Sequence, residues 1–527
     1  MSKRRAVLGI DLGTSQVKAL VMTPDGEIRG RGRAGYPVVS PGEGLAETDP
    51  AEWWRATVAA VREALADASA DVEVAAVGVD GQMHGVALAG DDGNAVRPAI
   101  LWLDRRAEAE AARYGELPAE LTRPLGNQAS AGMAGPMLGW LAAHEPDVLR
   151  RARWALQPKD WLRMRLTGLA ATDPTDASGT LLFDLTRGAW AWDLINAVGL
   201  PGDKLPPVLG STEVAGDLLP GPASELGLPP GIPVATGAAD TAAALYAADL
   251  DLGPDTAAGA GMAGLSTRRG TADAGAGAGT ANPGADTGRA GTGSGRAGEG
   301  VSDGGWALLT VGTGGQWMVP EGEFRPAAGT NLFAAVGGGF YRLAPVQNAG
   351  VALDWVRGVL GVTWQQLYDT AGRPWRADTP VFLPYLARER WDPATAGAWE
   401  GLTLGHDRDD LVRGALEGVA FLLRKRLDDL RAAGHQPEAV LLGGGGATHP
   451  GWRQLLADVL ALPLYPADTS WLSAAGAARV AAAAAGMEGT GESRGRSGYW
   501  NTAAVVPGER NLASAGYDRF THKLTAS

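Results

Sequence analysis

The sequence predicts an α/β protein built from two related domains, and three observations carry that expectation. Apolar runs of strand length alternate with segments of helical periodicity along the chain. A strand, a Gly-Thr turn and a returning strand occur around GIDLGTSQ (Gly9–Gln16) and again around GTGGQ (Gly312–Gln316). The 527 residues exceed what one hydrophobic core usually fills, so two domains are expected, over residues 1–243 and 244–527.

The elements follow in order. Val7, Leu8 and Ile10 read as the first strand, and Val17, Ala19, Leu20, Val21 and Met22 as the strand that returns, so the two make a hairpin. At its tip Gly13 lets backbone approach a ligand closely, Thr14 and Ser15 bring N–H and hydroxyl donors for phosphate oxygens, and Asp11 stands just before the turn. Two readings fit these residues: a site for a metal-bound nucleotide, and an ordinary hairpin turn. A third strand is expected near Gly35–Val39. A helix follows over Trp53–Ala66, with Asp49 as its cap, Pro50 in the first helical position and Glu52 completing a capping box. Val72–Val79 is a strand leading into GQMHG, Gly81–Gly85, and Ala99–Leu103 is a further apolar run ahead of Asp104 and Arg106.

The second half repeats the opening. Ala307–Val311 and Trp317–Val319 flank GTGGQ, so a nucleotide held by two such hairpins would lie between the domains. Leu441–Trp452 reads as a strand, a glycine run and the start of a helix containing Leu455–Leu460; Gly444, Gly445 and Gly446 suit either close approach to a flat ligand such as adenine or a tight loop. Residues 270–305 are almost all Gly, Ala, Thr, Ser and Asp, which bury too little apolar surface to offset their ordering entropy, so a flexible insertion within the second domain is expected. Gly486–Gly498 reads as a loop.

Composition narrows the function classes. The absence of cysteine excludes disulfides, thiolate metal sites and cysteine nucleophiles, and fits a reducing, cytoplasmic location. A net charge of −13 argues against a nucleic-acid partner. The start, MSKRRAVLGI, lacks the apolar run of a signal peptide, and the most apolar late stretch, Ala474–Ala485, is too short to span a bilayer, so no membrane partner is expected. Oligomeric state leaves no pattern, and a homodimer stays open.

No GxxxxGK[ST], HExxH or GxSxG pattern occurs. The remaining acids of interest end apolar runs: Asp11, Asp80, Asp104 and Asp240. Asp240 follows the run Pro233–Thr236 and two alanines and precedes TAAALYAA, a helix; it suits a base that takes a hydroxyl proton, or a helix N-cap. In GQMHG, the turn would aim Gln82 and His84 into a cleft toward a polyhydroxylated ligand, with Met83 as apolar contact.

Taken together and in order, these segments resemble the FGGY carbohydrate kinases. GIDLGTS with Lys18 is similar to that family's first phosphate hairpin, GQMHG to its sugar-contacting turn in the members that take xylulose, and GAADTAA (Gly237–Ala243) to its catalytic-aspartate segment. GTGG and GGGA (Gly444–Ala447) resemble the second phosphate hairpin and the adenosine loop; PKDWLRMRLTG (Pro158–Gly168) and TDASGTLLFDL (Thr175–Leu185) also match. The resemblance implies an actin-like ATPase fold, two ribonuclease-H-like domains around a central cleft, and ATP-dependent conversion of D-xylulose to D-xylulose 5-phosphate with ATP and Mg²⁺ as cofactors. It assigns the general base to Asp240 and the magnesium-side acid to Asp11, with both as the metal-site residues, and sugar contacts to Gln82, Met83, His84, Asp104 and Thr241. It assigns ATP contacts to Gly13, Thr14, Ser15, Lys18, Gly312, Thr313, Gly444, Gly445 and Gly446. Three departures stand out: Thr241 where the family usually has Asn, Gly314 where it has Ser, and an altered stretch over Arg388–Gly401. They leave two alternatives, a kinase for another ketopentose or polyol and a noncatalytic sugar- or nucleotide-binding regulator.

Deleting Thr271–Ser302 is expected to leave folding and activity nearly intact, checked by thermal melting and steady-state rates against the full chain.

Overall fold

Two sheets carry the fold in the computed structural model, which describes residues 3–250, 305–386, 389, 396–487 and 503–526. The first contains β1 (Arg4–Leu12), β2 (Gln16–Met22), β3 (Ile28–Gly35), β4 (Val72–Gly81), β5 (Val214–Asp217), β6 (Pro233–Ala235) and β7 (Ala238–Ala239), in the order β5-β6-β4-β1-β2-β3 with β7 beside β4. The second contains β8 (Trp306–Val311), β9 (Gly315–Glu321), β10 (Asn331–Ala334), β11 (Phe340–Val346), β12 (Ala439–Gly443) and β13 (Leu464–Pro466), in the order β10-β11-β9-β8-β12-β13. Without edge strands β5 and β10, the two sheets share one plan. Three antiparallel strands, β3-β2-β1 or β11-β9-β8, are followed by two parallel ones, β4-β6 or β12-β13. The repeated hairpin is therefore the visible part of a repeated domain, and the architecture is the actin-like one that the resemblance implies.

Helices fill the layers between and outside the sheets: α1 (Pro50–Asp67), α2 (Pro158–Thr167), α3 (Asp240–Ala248), α4 (Gly350–Leu360), α5 (Arg408–Ala432), α6 (Pro450–Leu460) and α7 (Leu472–Ala484). Strand residues alternate between faces. Leu8, Ile10, Val17 and Ala19 pack outward on Trp53, Ala60 and Leu162 of α1 and α2. Leu309, Val311, Trp317 and Leu442 pack on Leu353, Leu416 and Leu456 of α4, α5 and α6. The opposite faces of both sheets, Val7, Leu20 and Ala76 on one and Leu308, Met318 and Leu441 on the other, share a middle layer made of α3 and α7.

That middle layer explains the alanine-rich stretch late in the chain. A Cβ on Gly9 of β1 would lie 2.0 Å from the Ala474 carbonyl oxygen, one on Gly78 of β4 2.0 Å from that of Ala477, and one on Gly476 2.0 Å from that of Ala243 in α3. Helix α7 thus lies in a groove that only glycine leaves open, with small side chains on both sides. Among the described residues no helix is long and apolar enough to cross a membrane.

The structure corrects two local expectations. The third strand is Ile28–Gly35, earlier than Gly35–Val39, and Val39 makes only a bridge to Glu47. It escapes an apolar-run search because Gly30 and Gly32 face α1, where a Cβ would come within 2.2 and 2.0 Å of the Ala64 and Ala60 carbonyl oxygens. The cap of α1 forms, Asp49 accepting from the Ala51 N–H at 2.9 Å, but Glu52 pairs with Arg55 at 2.8 Å instead of closing a capping box. The apolar run Ala99–Leu103 begins as a short strand, Ala99–Ile100, and ends with Leu103 exposed. The boundary expected after residue 243 falls inside α3. Residues 270–304 of the expected insertion and 488–498 of the expected loop lie outside the described residues.

Gly476→Ala is expected to lower stability by roughly 1–3 kcal/mol through overpacking against the α3 backbone. A urea titration followed by circular dichroism should show a lower midpoint at unchanged slope.

Candidate active site

Three carboxylates meet where β1, β4 and β7 end. Register places Asp11 opposite Lys18 on β2 and opposite Asp80 on β4, and Asp80 opposite Ala238, two residues before Asp240. Neighbours in register present their side chains to one face of a sheet, so the row is a product of strand alignment. Asp11 and Asp80 are buried, and Lys18 Nζ stands 3.5 Å from Asp11 Oδ2.

Burial pushes Asp11 above the usual carboxylate range, and the Lys18 charge partly offsets it. Asp80 is pushed well above that range by burial and then by the charges of Asp11 and Asp240. Neither Asp80 oxygen meets a protein donor; the Asp11 carboxyl beside it can bond it only through a shared proton. Asp240 is pushed up to about 7, first by its enclosure and then by Asp11, while the Thr241 N–H donates to its Oδ1 at 2.7 Å and favours the ionised form. Part of its surface remains open, which tempers the effect of burial. Asp240 is the first residue of α3 and Ala239 is its cap position, so capping does not describe its role.

The backbone under Asp240 is set from outside the row. The Ala239 N–H donates to Thr175 Oγ1 at 2.8 Å, and Thr175 Oγ1 donates to Asp173 Oδ2 at 2.7 Å. Asp173 is held in turn by Ser211 at 2.6 Å and by Lys159 at 3.0 Å, with Lys159 also 2.6 Å from Asp160. Lys159 has no exposed surface; burial alone would lower its pKa, but Asp160, Asp173 and Asp176 together hold it above the ordinary lysine range. The stretches PKDWLRMRLTG and TDASGT thereby converge on the residue before Asp240. Their sequence signal was charged residues inside otherwise core-like segments.

In the GQMHG turn His84 adopts a left-handed backbone, φ 74°. Gln82 is buried, and its Nε2 donates to the Tyr36 hydroxyl at 3.3 Å; Tyr36 in turn donates to the Gly13 carbonyl. Gln82 therefore faces the first hairpin, a correction to its expected direction. His84 Nδ1 lies 2.7 Å from the Gly179 carbonyl oxygen, which can only accept, so Nδ1 carries the proton and Nε2 is the acceptor of the neutral ring. A Cβ on Gly179 would come within 2.9 Å of His84 and 3.0 Å of Met83, so glycine is what lets the turn settle there. Met83 Sδ is 3.2 Å from Thr241 Oγ1.

At the first hairpin Trp102 Nε1 donates to Thr14 Oγ1 at 3.0 Å, and Ser15 is exposed. At the second, Gly312 and Thr313 are exposed at the turn, and their carbonyls accept from Gly350 and Val351 of α4 at 3.1 and 2.9 Å. Gly314 has a physical reason: a Cβ there would stand 2.8 Å from the Val346 carbonyl oxygen on β11. The glycine run lies against the base of this hairpin, since a Cβ on Gly444, at φ 95°, would be 2.2 Å from the Val311 carbonyl oxygen. Gly445 and Gly446 follow in a short 3₁₀ turn. Glu389, in the altered stretch, accepts from Gln347 N, Asn348 N and Asn348 Nδ2 at 3.0, 2.7 and 2.7 Å, fixing the loop between β11 and α4; sequence reasoning missed it.

Asp104 stands apart from the acid row's contacts. It is buried and accepts from Ala46 N at 2.7 Å and from Arg106 N, Nε and Nη2 at 2.9, 2.8 and 2.7 Å, so both of its oxygens are engaged within the protein. A cavity of about 520 Å³ lined by Thr379, Glu400, His406 and Arg519 contains none of Asp11, Asp80 and Asp240. Among the described residues no three acidic or histidine side chains close a complete metal cage. Asp11 and the unpartnered oxygens of Asp80 are nonetheless hard donors that suit Mg²⁺, which is commonly held by one or two carboxylates together with phosphate oxygens and water.

The acid row sets a pH dependence on stability. A carboxyl whose folded pKa is raised contributes stability that is complete below its unfolded pKa and is lost as pH rises through the folded value, for Asp240 up to about 7. Asp80→Asn removes one of the repelling charges. Its ligand-free melting temperature, relative to the unsubstituted protein, is expected to climb between about pH 5 and about pH 8; a flat difference would contradict the arrangement.

Comparison with known proteins identifies the family. Residues 6–247 match the N-terminal domain and residues 307–485 the C-terminal domain of the FGGY family of carbohydrate kinases. The xylulose kinase of Escherichia coli (strain K12) is 32% identical over 490 residues, 91% of this chain and 90% of that protein. The crystal structure of xylulose kinase from Rhodospirillum rubrum superimposes with a TM-score of 0.81 at 27% identity, over 99% of each chain. A gluconate kinase structure from Lactobacillus acidophilus reaches the same TM-score of 0.81 at 20% identity, over 99% of this chain and 98% of that one, a likeness of fold alone. The repeated domain plan, the row of acids at the strand ends and the full-length similarity lead to one conclusion: the chain belongs to the FGGY family of carbohydrate kinases, which use ATP.

Proposed function

We propose that this kinase transfers the γ-phosphoryl group of ATP to the 5-hydroxyl of D-xylulose. The observation that carries the reading is Asp240, the partly exposed member of the acid row, with its pKa raised to about 7 and the Met83–His84 turn beside its neighbour Thr241. A base poised near the working pH takes a hydroxyl proton efficiently. Asp240 accepts the proton of the 5-hydroxyl as that oxygen bonds to the γ-phosphorus and the bond to the leaving ADP oxygen breaks. His84 Nε2 accepts from a sugar hydroxyl, and Met83 covers an apolar edge of the sugar. The N–H and hydroxyl groups of Gly13, Thr14 and Ser15, with Lys18, and the Thr313 N–H take the phosphates; Gly312, whose own N–H donates to the Gly314 carbonyl at 2.8 Å, shapes that turn, and Gly444, Gly445 and Gly446 leave room for adenosine.

Asp11 and Asp80 are the residues that would hold Mg²⁺, which neutralises charge on the transferring phosphoryl group when bound. Phosphoryl transfer needs alignment and charge neutralisation more than covalent catalysis, so this inventory suffices. The xylulose kinases among the relatives support the sugar assignment. A second reading, another ketopentose or its sugar alcohol, is favoured by Thr241, whose hydroxyl is engaged by Met83 and Tyr341 where the family usually presents an amide.

A coupled ADP-release screen over ketopentoses, polyols, gluconate and glycerol separates these readings, with D-xylulose expected to give the highest kcat/KM. In the same assay Asp240→Asn should retain sugar-induced thermal stabilisation and lose at least about two orders of magnitude in turnover. Preference for glycerol or gluconate, or full turnover in Asp240→Asn, would overturn the proposal.

A further inference from the structure

The sugar turn and the base are joined by a residue that comes from the other domain. Tyr341, on β11, is fully buried. Its hydroxyl oxygen lies 2.6 Å from Thr241 Oγ1 and 3.7 Å from Met83 Sδ, and Thr241 Oγ1 is 3.2 Å from the same sulfur. A thioether can only accept, so the shortest consistent order has Tyr341 donating to Thr241 and Thr241 donating to Met83. The one proton of Thr241 is then committed within the protein. Residue 241 acts on the sugar through the position of Met83 more than by direct donation.

The strand pair that brings Tyr341 is itself seated on the first domain. Asn127 accepts from Leu332 N at 2.9 Å and donates to Leu332 O at 2.7 Å, and the Ala334 N–H donates to Ser178 Oγ at 3.1 Å. Phe333 lies 5.6 Å from the Tyr341 ring and 5.8 Å from the His84 ring, so the same strands back both halves of the turn. The hydroxyl therefore arrives on a supported frame.

We infer that Tyr341 is a specificity-determining positioning residue: through Thr241 it sets Met83 and the sugar turn against Asp240, and thereby selects which sugar presents its terminal hydroxyl to the base. This rests on the assignment of the sugar site above.

The test is a double-mutant cycle read in substrate preference. Tyr341→Phe keeps the ring and removes the proton; it is expected to raise KM for D-xylulose about tenfold with a smaller change in kcat, to lower the preference for D-xylulose over its sugar alcohol, and to leave KM for ATP unchanged. Thr241→Val should reproduce that shift, the double variant should add little to either, and Thr241→Ser, which keeps the hydroxyl, should retain the original preference. If Tyr341→Phe does not fold, the contrast between Thr241→Val and Thr241→Ser carries the test. If the unsubstituted enzyme prefers another sugar, the xylulose assignment fails, and the cycle is read on that sugar against its own alcohol. An unchanged preference in Tyr341→Phe, an equal loss toward sugar and ATP, or additive effects in the double variant would overturn the inference, even if melting temperatures shift.

Discussion

The approach of α7 to its neighbours is the constraint on which the site depends. Gly9, Gly78 and Gly476 leave no side chain between this helix and β1, β4 and α3. Interiors packed to this density transmit small displacements instead of absorbing them. β1 ends at the hairpin with Asp11, β4 ends beside Asp80, and α3 begins at Asp240, so all three acids take their relative depth from one helix that lies near the far end of the sequence. The middle layer is thus both the joint between the two sheets and the gauge for the acid row.

A second restraint reaches the same point from the opposite side. Lys159, with no exposed surface, gathers Asp160, Asp173 and Asp176, and through Thr175 holds the amide of Ala239. A buried charge cluster is a poor source of net stability, because desolvation offsets most of the attraction; its value is that few arrangements satisfy it. The acid row is the reverse case, with like charges kept close and Asp80 left without a donor. Stability is given up at the row and geometry is enforced around it, as expected where a site needs charge that a core would otherwise reject.

Local features of the fold were legible in the sequence. Both hairpins, the glycine run and the helix after Asp240 were readable because turns and apolar alternation report on neighbours in the chain, and the repeat pointed to two domains. β3 was misplaced because glycines facing α1 replaced the apolar residues that mark a strand. The capping box was overread because Glu52 had a stronger partner in Arg55 three residues on. The acid row itself was out of reach: Asp11, Asp80 and Asp240 were each noticed, but only strand register puts them side by side. Tyr36, Lys159, Tyr341 and Glu389 act through partners distant in sequence, and no single stretch carries their signal. Gln82 is turned toward the first hairpin by Tyr36, a partner likewise distant in sequence.

Gly314 looks at first like a simple loss of a hydroxyl from the second hairpin. Its surroundings give it a second meaning. The carbonyl that a side chain there would meet belongs to Val346, and the same strand carries Tyr341 to Thr241 and Met83. A serine at position 314 would force either its own turn or the Val346 backbone to yield. A displacement of β11 would also carry Tyr341 with it, so positions 314 and 341 are linked through one strand, and a change at the turn is read out at the Thr241–Met83 contact.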